Sequence, residues 1–149
     1  MKFSVAILAV AAAFGLASGS PVLEARQEAV RFGVVNTHPT SVKLGEEFTV
    51  TYNSTLARWQ PKFLDVYISG VYPSGFVTPS YQLLRVDYPP TSHSLTFQTT
   101  LPILDNSDVN KGYLVNGSYA IWAYITFPTD SGALAVGGTS TGIGIDGLS

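Results

Sequence analysis

From residue 31 to residue 145 the apolar positions alternate with polar ones, which is the period of a β-strand with one buried face. The clearest runs are EEFTVTY, FLDVYIS, HSLTFQT and GSYAIWAYITF, and shorter ones are RFGVV, SVKL, QLLRVDY and GTSTGIGI. Clusters rich in Pro, Gly, Asn and Asp separate these runs and indicate turns. No uninterrupted stretch of ten residues beyond the N-terminal segment has a helical period. We therefore predict an all-β domain, an antiparallel sandwich of seven or eight strands.

Two segments narrow this prediction to an immunoglobulin-like sandwich with Greek-key connections. PTSVKLGEEFTVTY has the pattern of an opening strand that switches sheets, a glycine turn and an amphipathic strand. In NGSYAIWAYI, Tyr119 follows a turn closely, as does the tyrosine that bonds back across the corner of such sandwiches. The chain has no cysteine, so there is no disulfide. We expect Val50 and Ile121 to stand at the positions that antibody domains give to their bridge.

The N-terminus has the features of a secretory signal peptide. Lys2 precedes an uncharged, largely apolar stretch over residues 3–16, and small residues follow at 17–19. Such a stretch is too short to span a bilayer as a helix. We therefore expect a secreted, extracellular protein with no membrane anchor.

This interpretation divides the chain into three parts. Residues 1–19 are the signal peptide, and residues 20–30 are a flexible N-terminus or a short pro-segment trimmed after Arg26. Residues 31–145 are the single β-sandwich domain, which we expect to be a monomer.

Two triplets fit the acceptor pattern for N-linked glycosylation, which applies only to a secreted chain. They are Asn53-Ser54-Thr55 and Asn116-Gly117-Ser118. Asn53 and Asn116 are therefore candidate glycosylation sites.

Charge and cysteine content argue against nucleic-acid binding and against a thiolate metal site. Eight basic and ten acidic residues give a formal net charge of −2, and no basic run occurs, so nucleic acid is not an expected partner. The absence of cysteine excludes a thiolate metal site, and the domain must hold together by packing alone.

The C-terminal GGTSTGIGIDGLS matches two enzyme signatures, the G-x-S-x-G of a nucleophile elbow and the G-x-G-x-x-G of a dinucleotide loop. Both signatures require a helix directly after them, and the elbow requires a later histidine. Nine residues follow Ser140 and none is histidine. We therefore interpret the tail as a small-residue strand.

Other catalytic chemistry has little support. His38 and His93 are the only histidines, and each lies beside a turn. The segment 105–112, DNSDVNKG, resembles a calcium loop but lacks the spacing of its oxygen ligands. We expect no catalytic residue, metal or cofactor. A remote alternative is a small hydrolase that uses Asp65, Asp87 and a histidine.

Aromatic residues supply the remaining candidates. Large side chains with a polar tip are enriched where proteins bind partners. Alternation places Trp122 outward, but large exposed apolar patches are rare on monomers, so we expect the segment from Tyr72 to Tyr88 to cover it. The candidate partner-binding residues are Trp59, Tyr72, Phe76, Tyr81, Trp122 and Tyr124.

The segments THPTSVKLGEEFTVTYNST, FLDVYISGVYPSG, SHSLTFQTTLP and GSYAIWAYITFPTDSG together resemble the fungal necrosis-inducing secreted proteins, the Nis-type effectors. The resemblance covers roughly residues 31–145 and carries no diagnostic motif. It implies a compact β-domain secreted into host tissue, which engages immune receptor kinases instead of catalysing a reaction. PTSVKLGEEFTVTY and GSYAIWAYI also resemble the immunoglobulin-like module of fungal cell-wall glycoproteins involved in β-glucan assembly.

Together these observations predict a secreted, non-catalytic interaction protein that binds a protein, such as a host immune receptor kinase, through aromatic side chains. The alternative is a cell-wall or carbohydrate-binding module that uses Trp59 or Trp122 as a platform for sugar rings.

Overall fold

A computed structural model of the chain describes residues 21–75, 77–78, 80–101 and 117–146. The described residues form one helix and eight strands: α1 (Pro21–Phe32), β1 (Val34–His38), β2 (Ser41–Lys43), β3 (Glu47–Asn53), β4 (Phe63–Val71), β5 (Tyr81–Asp87), β6 (Ser94–Thr100), β7 (Ser118–Pro128) and β8 (Leu134–Asp146). The predicted signal peptide, the segment 105–112, Phe76 and Asn116 lie outside them.

The strands form two sheets, with orders β1-β3-β6 and β2-β8-β7-β4-β5. The all-β class is therefore confirmed, and the closer assignment to an immunoglobulin-like topology stays a prediction. The predicted sheet switch is also found: β1 pairs with β3, whereas β2 pairs with β8 after a cis His38–Pro39 peptide. The β2–β8 pair is parallel, unlike the other strand pairs, so the sandwich is not antiparallel throughout.

One hydrophobic core lies between the inward faces of the two sheets. Burial alternates along β3, β4 and β7, as their apolar periods predict. Val50 and Ile121 are both completely buried. Each fully buried Val, Leu, Ile or Phe side chain contributes about 1.5–3 kcal/mol, so packing alone gives this domain a substantial driving force for folding.

Helix α1 is the main departure from the predicted fold, because residues 20–30 were expected to be flexible. The helix ends at Phe32, and the next residue, Gly33, has a φ of 88° and donates its N–H to the carbonyl of Ala29 at 3.0 Å. The Tyr52 hydroxyl donates a 2.7 Å hydrogen bond to the carbonyl of Phe32. The Phe32 ring lies directly over Gly137, where a Cβ atom would overlap it. The last turn of α1 is therefore held by contacts with residues distant in sequence, which the local pattern cannot reveal.

In its second half, the segment from Tyr72 to Tyr88 is not the covering loop that the sequence predicts. Its second half is β5, which extends the five-stranded sheet by pairing with the edge of β4. The register shifts between Val66 and Tyr67, which leaves Leu83 as an extra residue in β5. After the strand, Tyr88 enters the core and packs edge-on against Tyr52, with ring centroids 5.5 Å apart.

Strand β8 contains most of the glycine-rich tail. Ser140 is an exposed residue in the middle of this strand, and Gly142 to Asp146 continue it. The residues after Ser140, where a nucleophile elbow needs its helix, form strand up to Asp146, as the prediction of a small-residue strand requires.

Candidate functional site

Trp59 lies at one end of the sandwich and belongs to its internal packing. Its indole stacks on Phe127, with ring centroids 4.8 Å apart and planes 9° from parallel. The Arg58 guanidinium carbon lies 4.5 Å from the centre of the indole, and the indole N–H contacts Asp130 Oδ1 at 3.5 Å. The ring is half-buried against the core, so these contacts occupy much of the surface that a ligand would need.

Two further predicted residues lie on β5 and in the turn after β4. Tyr81 begins β5 and packs against the core. Tyr72 is half-buried in a turn, where its carbonyl accepts a 2.8 Å hydrogen bond from the Gly75 N–H. The structure therefore does not bring Trp59 and Tyr81 together with the outward aromatic residues described next.

Trp122 and Tyr124 stand on the outward side of β7, as the alternation predicts. Their rings are 5.6 Å apart and 11° from parallel. Tyr67 of β4 packs edge-on against Tyr124, with ring centroids 5.8 Å apart. We call Tyr67, Trp122 and Tyr124 the aromatic cluster; each of its members is half-buried.

Tyr67 was not among the residues predicted from the sequence, although the alternation of FLDVYIS places it on the polar, outward side of its strand. What the sequence lacked was the pairing of β4 with β7, which sets Tyr67 directly opposite Trp122. That pairing joins residues more than fifty positions apart and is visible only in the folded chain.

Small residues on β8 make room for the aromatic cluster. Gly138 lies opposite Tyr124, and a Cβ atom there would come within 2.8 Å of the tyrosine ring. Farther along the strand, Ser140 lies opposite Trp122, and Gly142 lies opposite Ala120 with open space above it. Strand β8 therefore presents only small side chains next to Trp122 and Tyr124, and the two rings project above it.

Polar groups border the cluster on the other side. Asp65 lies opposite both Tyr124 and Arg85 in the sheet. Its Oδ1 atom accepts a 3.2 Å hydrogen bond from the Gln82 side chain and lies 3.5 Å from Arg85 Nε. The Asp65 side chain is only 16% exposed, whereas that of Arg85 is 73% exposed. The carboxylate is therefore fixed in place, while the guanidinium remains accessible.

A shallow depression of about 460 Å³ opens between these groups. Asp65, Tyr67, Arg85 and Tyr124 line it together with Ser80, Thr126 and Val136. It spans β4, β5, β7 and β8, so it belongs to the five-stranded sheet alone.

The outward side of the three-stranded sheet has a different chemistry. Its described positions on the central and edge strands are mainly hydroxyl and amide side chains, including Thr49, Thr51, Thr96 and Gln98. The Thr51 and Thr96 hydroxyls are 3.1 Å apart across the strands. The aromatic cluster therefore makes one side of the molecule distinct from the other.

The groups considered for hydrolysis are not brought together. Asp65 and Asp87 belong to the five-stranded sheet, whereas His38 ends β1 and His93 immediately precedes β6 in the three-stranded sheet. Within the described ranges, no group of three or more His, Asp or Glu side chains is arranged to hold a metal ion.

Asn53 is exposed at the end of β3. Its Oδ1 atom accepts a 2.8 Å hydrogen bond from the Thr55 N–H, while the intervening Ser54 is buried and shares a hydrogen bond with the Tyr88 hydroxyl. The side-chain amide of Asn53 is thus accessible, and its glycosylation stays a prediction.

None of the helices in the part of the chain that the structure describes is long and apolar enough to cross a membrane. The chain matches no protein-family model, and a search of curated protein sequences finds no match.

Proposed function

We propose that the chain is a secreted, non-catalytic interaction protein that binds a partner protein through the outer face of its five-stranded sheet. The observation that carries this proposal is the aromatic cluster. Trp122, Tyr124 and Tyr67 lie together on the outward side of the sheet and are not part of the hydrophobic core.

The composition of this face supports protein binding. Trp, Tyr and Arg are the residue types most enriched among the side chains that dominate binding energy at protein interfaces. Here two tyrosines, one tryptophan and the accessible Arg85 lie on adjacent strands. Their rings pack against one another, so little side-chain entropy remains to be lost when a partner binds.

The resemblance to Nis-type effectors supplies a specific partner class, the immune receptor kinases of a plant host. The two tail motifs and the dispersed Asp and His residues supply no competing catalytic site. The proposed action is therefore occupation of a partner's surface, with no chemical step.

Binding to recombinant receptor-kinase ectodomains and kinase domains tests this function. We expect Trp122→Ala to weaken binding at least about tenfold, since truncating a central aromatic residue costs about 2 kcal/mol or more. Thr96→Ala, on the outer side of the opposite sheet, is the matched control and should bind as the unmodified protein does. Equal binding by the two variants would place the interface elsewhere and refute the proposal.

A carbohydrate-binding module is the second candidate, favoured by the carboxylate and guanidinium beside the tyrosine rings. Between the two platforms considered, Trp122 suits this role better than Trp59, whose ring stacks on Phe127. Retention on insoluble β-glucan or chitin, abolished by Trp122→Ala and not by Trp59→Phe, would favour this candidate over protein binding.

A further inference from the structure

The depression beside the aromatic cluster is lined by the Asp65 carboxylate, of which one oxygen makes contacts within the protein. Within the described ranges, the Asp65 carboxylate contacts Gln82 and Arg85, and both contacts involve Oδ1 and not Oδ2. The side chain is 16% exposed and lines the depression, so the carboxylate borders the space that a ligand would occupy. A carboxylate oxygen in such a position gains from any ligand that brings a hydrogen-bond donor to it.

We propose that this depression binds one neutral saccharide unit. This proposal rests on the proposed use of the same outer face as a binding surface, and it assigns a ligand class to that face whether the partner is a glycoprotein or a polysaccharide. The unit is an uncharged pyranose ring that packs against Tyr67 and Tyr124 and offers hydroxyl groups to Asp65 and Arg85.

The two tyrosine rings supply the apolar part of the site. One side of a pyranose ring presents mainly C–H groups, which pack well against an aromatic ring. Tyr67 and Tyr124 stand at 71° to each other, so they form a corner instead of a flat platform. A volume of about 460 Å³ lies within the range of small-molecule sites, about 300–1,000 Å³.

The polar part of the site supplies one acceptor and one donor. Asp65 Oδ2 accepts from a hydroxyl group, and the Arg85 guanidinium, which contacts Asp65 through Nε, has its terminal N–H groups accessible for donation. Neighbouring hydroxyls on a sugar ring both donate and accept, so one diol satisfies both residues. The Thr126 hydroxyl, on the wall near Tyr124, is a further partner.

Charge selects a neutral ligand over a charged one. Among the described residues that line the depression, Asp65 and Arg85 are the ionised ones, and their formal charges cancel. A cationic ligand that approached Asp65 would meet the Arg85 guanidinium within a few ångströms, and an anionic ligand that approached Arg85 would meet the carboxylate. Neither ion gains net attraction, whereas hydroxyl groups bond to both residues without that repulsion.

Such a unit has two sources, a free polysaccharide and the glycan of a partner glycoprotein. Both present the same ring chemistry to the depression. The experiment therefore needs one arm for each source.

In the first arm, the backbone amide resonances of the 15N-labelled protein are followed during titration with methyl glycosides of glucose, mannose and galactose and with N-acetylglucosamine. Glucuronate and glucosamine serve as the anionic and cationic comparisons. We expect at least one neutral sugar to shift the amides of Asp65, Arg85 and Thr126, to leave Thr51 and Thr96 unmoved, and to bind more tightly than either charged sugar. Absence of binding by all neutral sugars, or shifts confined to other residues, would overturn the proposal.

Asp65→Asn tests the role of the carboxylate, because it keeps an oxygen for Gln82 and removes the charge. We expect it to weaken sugar binding at least about tenfold, the loss typical of a hydrogen bond to a charged group. Asp87→Asn is the matched control, the same change at an exposed position of β5 outside the lining. Amide spectra of both variants establish that they are folded, so unchanged affinity in folded Asp65→Asn would refute the assignment.

In the second arm, the receptor-kinase ectodomain is bound before and after enzymatic removal of its N-glycans. Weakened binding after removal identifies a glycoprotein as the source, whereas retention on insoluble glucan identifies a polysaccharide. Binding that depends on Trp122 but is indifferent to Asp65→Asn, to glycan removal and to added sugars would refute the saccharide site and leave the proposed function standing. Sugar binding at the depression without binding of any protein partner would support the saccharide site and refute the proposed protein-binding function.

Discussion

The indole of Trp59 lies parallel to the ring of Phe127, with their centroids 4.8 Å apart. Phe32 reaches the same ring from α1, with centroids 6.1 Å apart. A loop, a central strand and the N-terminal helix therefore meet at one aromatic stack. Trp59 serves the fold at this place, which separates its role from that of Trp122.

We expect Trp59→Ala to lower the free energy of unfolding by about 2–3 kcal/mol, somewhat less than for a fully buried tryptophan. Trp59→Phe keeps a ring for stacking on Phe127 and should lose clearly less. Urea denaturation followed by circular dichroism measures both variants. A Trp59→Ala variant as stable as the unmodified protein would show that the stack contributes nothing.

Gly33 and Gly45 allow a matched comparison, because both have positive φ angles, of 88° and 82°. A Cβ atom on Gly33 would lie 2.6 Å from the carbonyl oxygen of Asn53, whereas one on Gly45 would meet nothing within 4 Å. Gly45→Ala should cost about 1–2 kcal/mol through its backbone conformation alone. Gly33→Ala should cost about 3 kcal/mol or more, because overpacking adds to the backbone strain. Equal losses in thermal or urea unfolding would contradict the close packing around Gly33.

Burial raises the pKa of Tyr52 well above its ordinary value, and the nearby Tyr88 adds to this effect. The folded protein thus holds this proton more tightly than the unfolded chain does. The stabilisation is complete below a pH of about 10, the unfolded pKa, and is lost above it at up to about 1.4 kcal/mol per pH unit. Urea midpoints measured from pH 8 to pH 11.5 should fall over the upper part of this range.

Tyr52→Phe removes the titrating group and should flatten this fall, at the expense of the hydrogen bond to Phe32. Burial also raises the pKa of Tyr88, partly opposed by its hydrogen bond with Ser54, so a shallower alkaline loss should persist. An identical pH profile in Tyr52→Phe and the unmodified protein would rule out Tyr52 as the source.

The Thr37 hydroxyl is buried and has no hydrogen-bond partner in the part of the chain that the structure describes. Valine has nearly the same shape and no polar atom to desolvate. Thr37→Val should therefore raise the free energy of unfolding by about 1 kcal/mol. Thr49→Val, on the half-exposed outer side of β3, is the control and should gain less. A loss of stability in Thr37→Val would indicate that the hydroxyl does have a partner.

The alternation of apolar residues sufficed to predict β3 and β7, because each strand has one face in the core. Phe48, Val50 and Tyr52 point inward as predicted, and so do Ile121 and Ile125. Such strands carry their own burial pattern in the sequence, and the turns at Gly45, Gly75 and Gly132 follow from the residues present.

Elements that depend on distant partners could not be predicted in the same way. The start of β8, residues 134–137, was missed because Gly137 looks like a strand breaker, yet it accommodates the ring of Phe32. Helix α1 was missed because its anchors, Tyr52 and Gly137, lie far along the chain. The aromatic cluster was found only in part, since Tyr67 joins it through strand pairing.

Because the chain has no cysteine, the stability of its fold does not depend on the redox state of the surrounding compartment. Because no sulfur–sulfur bond contributes to folding, the glutathione of a cytosol and the oxidising exterior of a cell are equivalent environments for it. The outer face of the five-stranded sheet would therefore survive passage from one compartment to the other, and reducing agents would leave its denaturation curve unchanged.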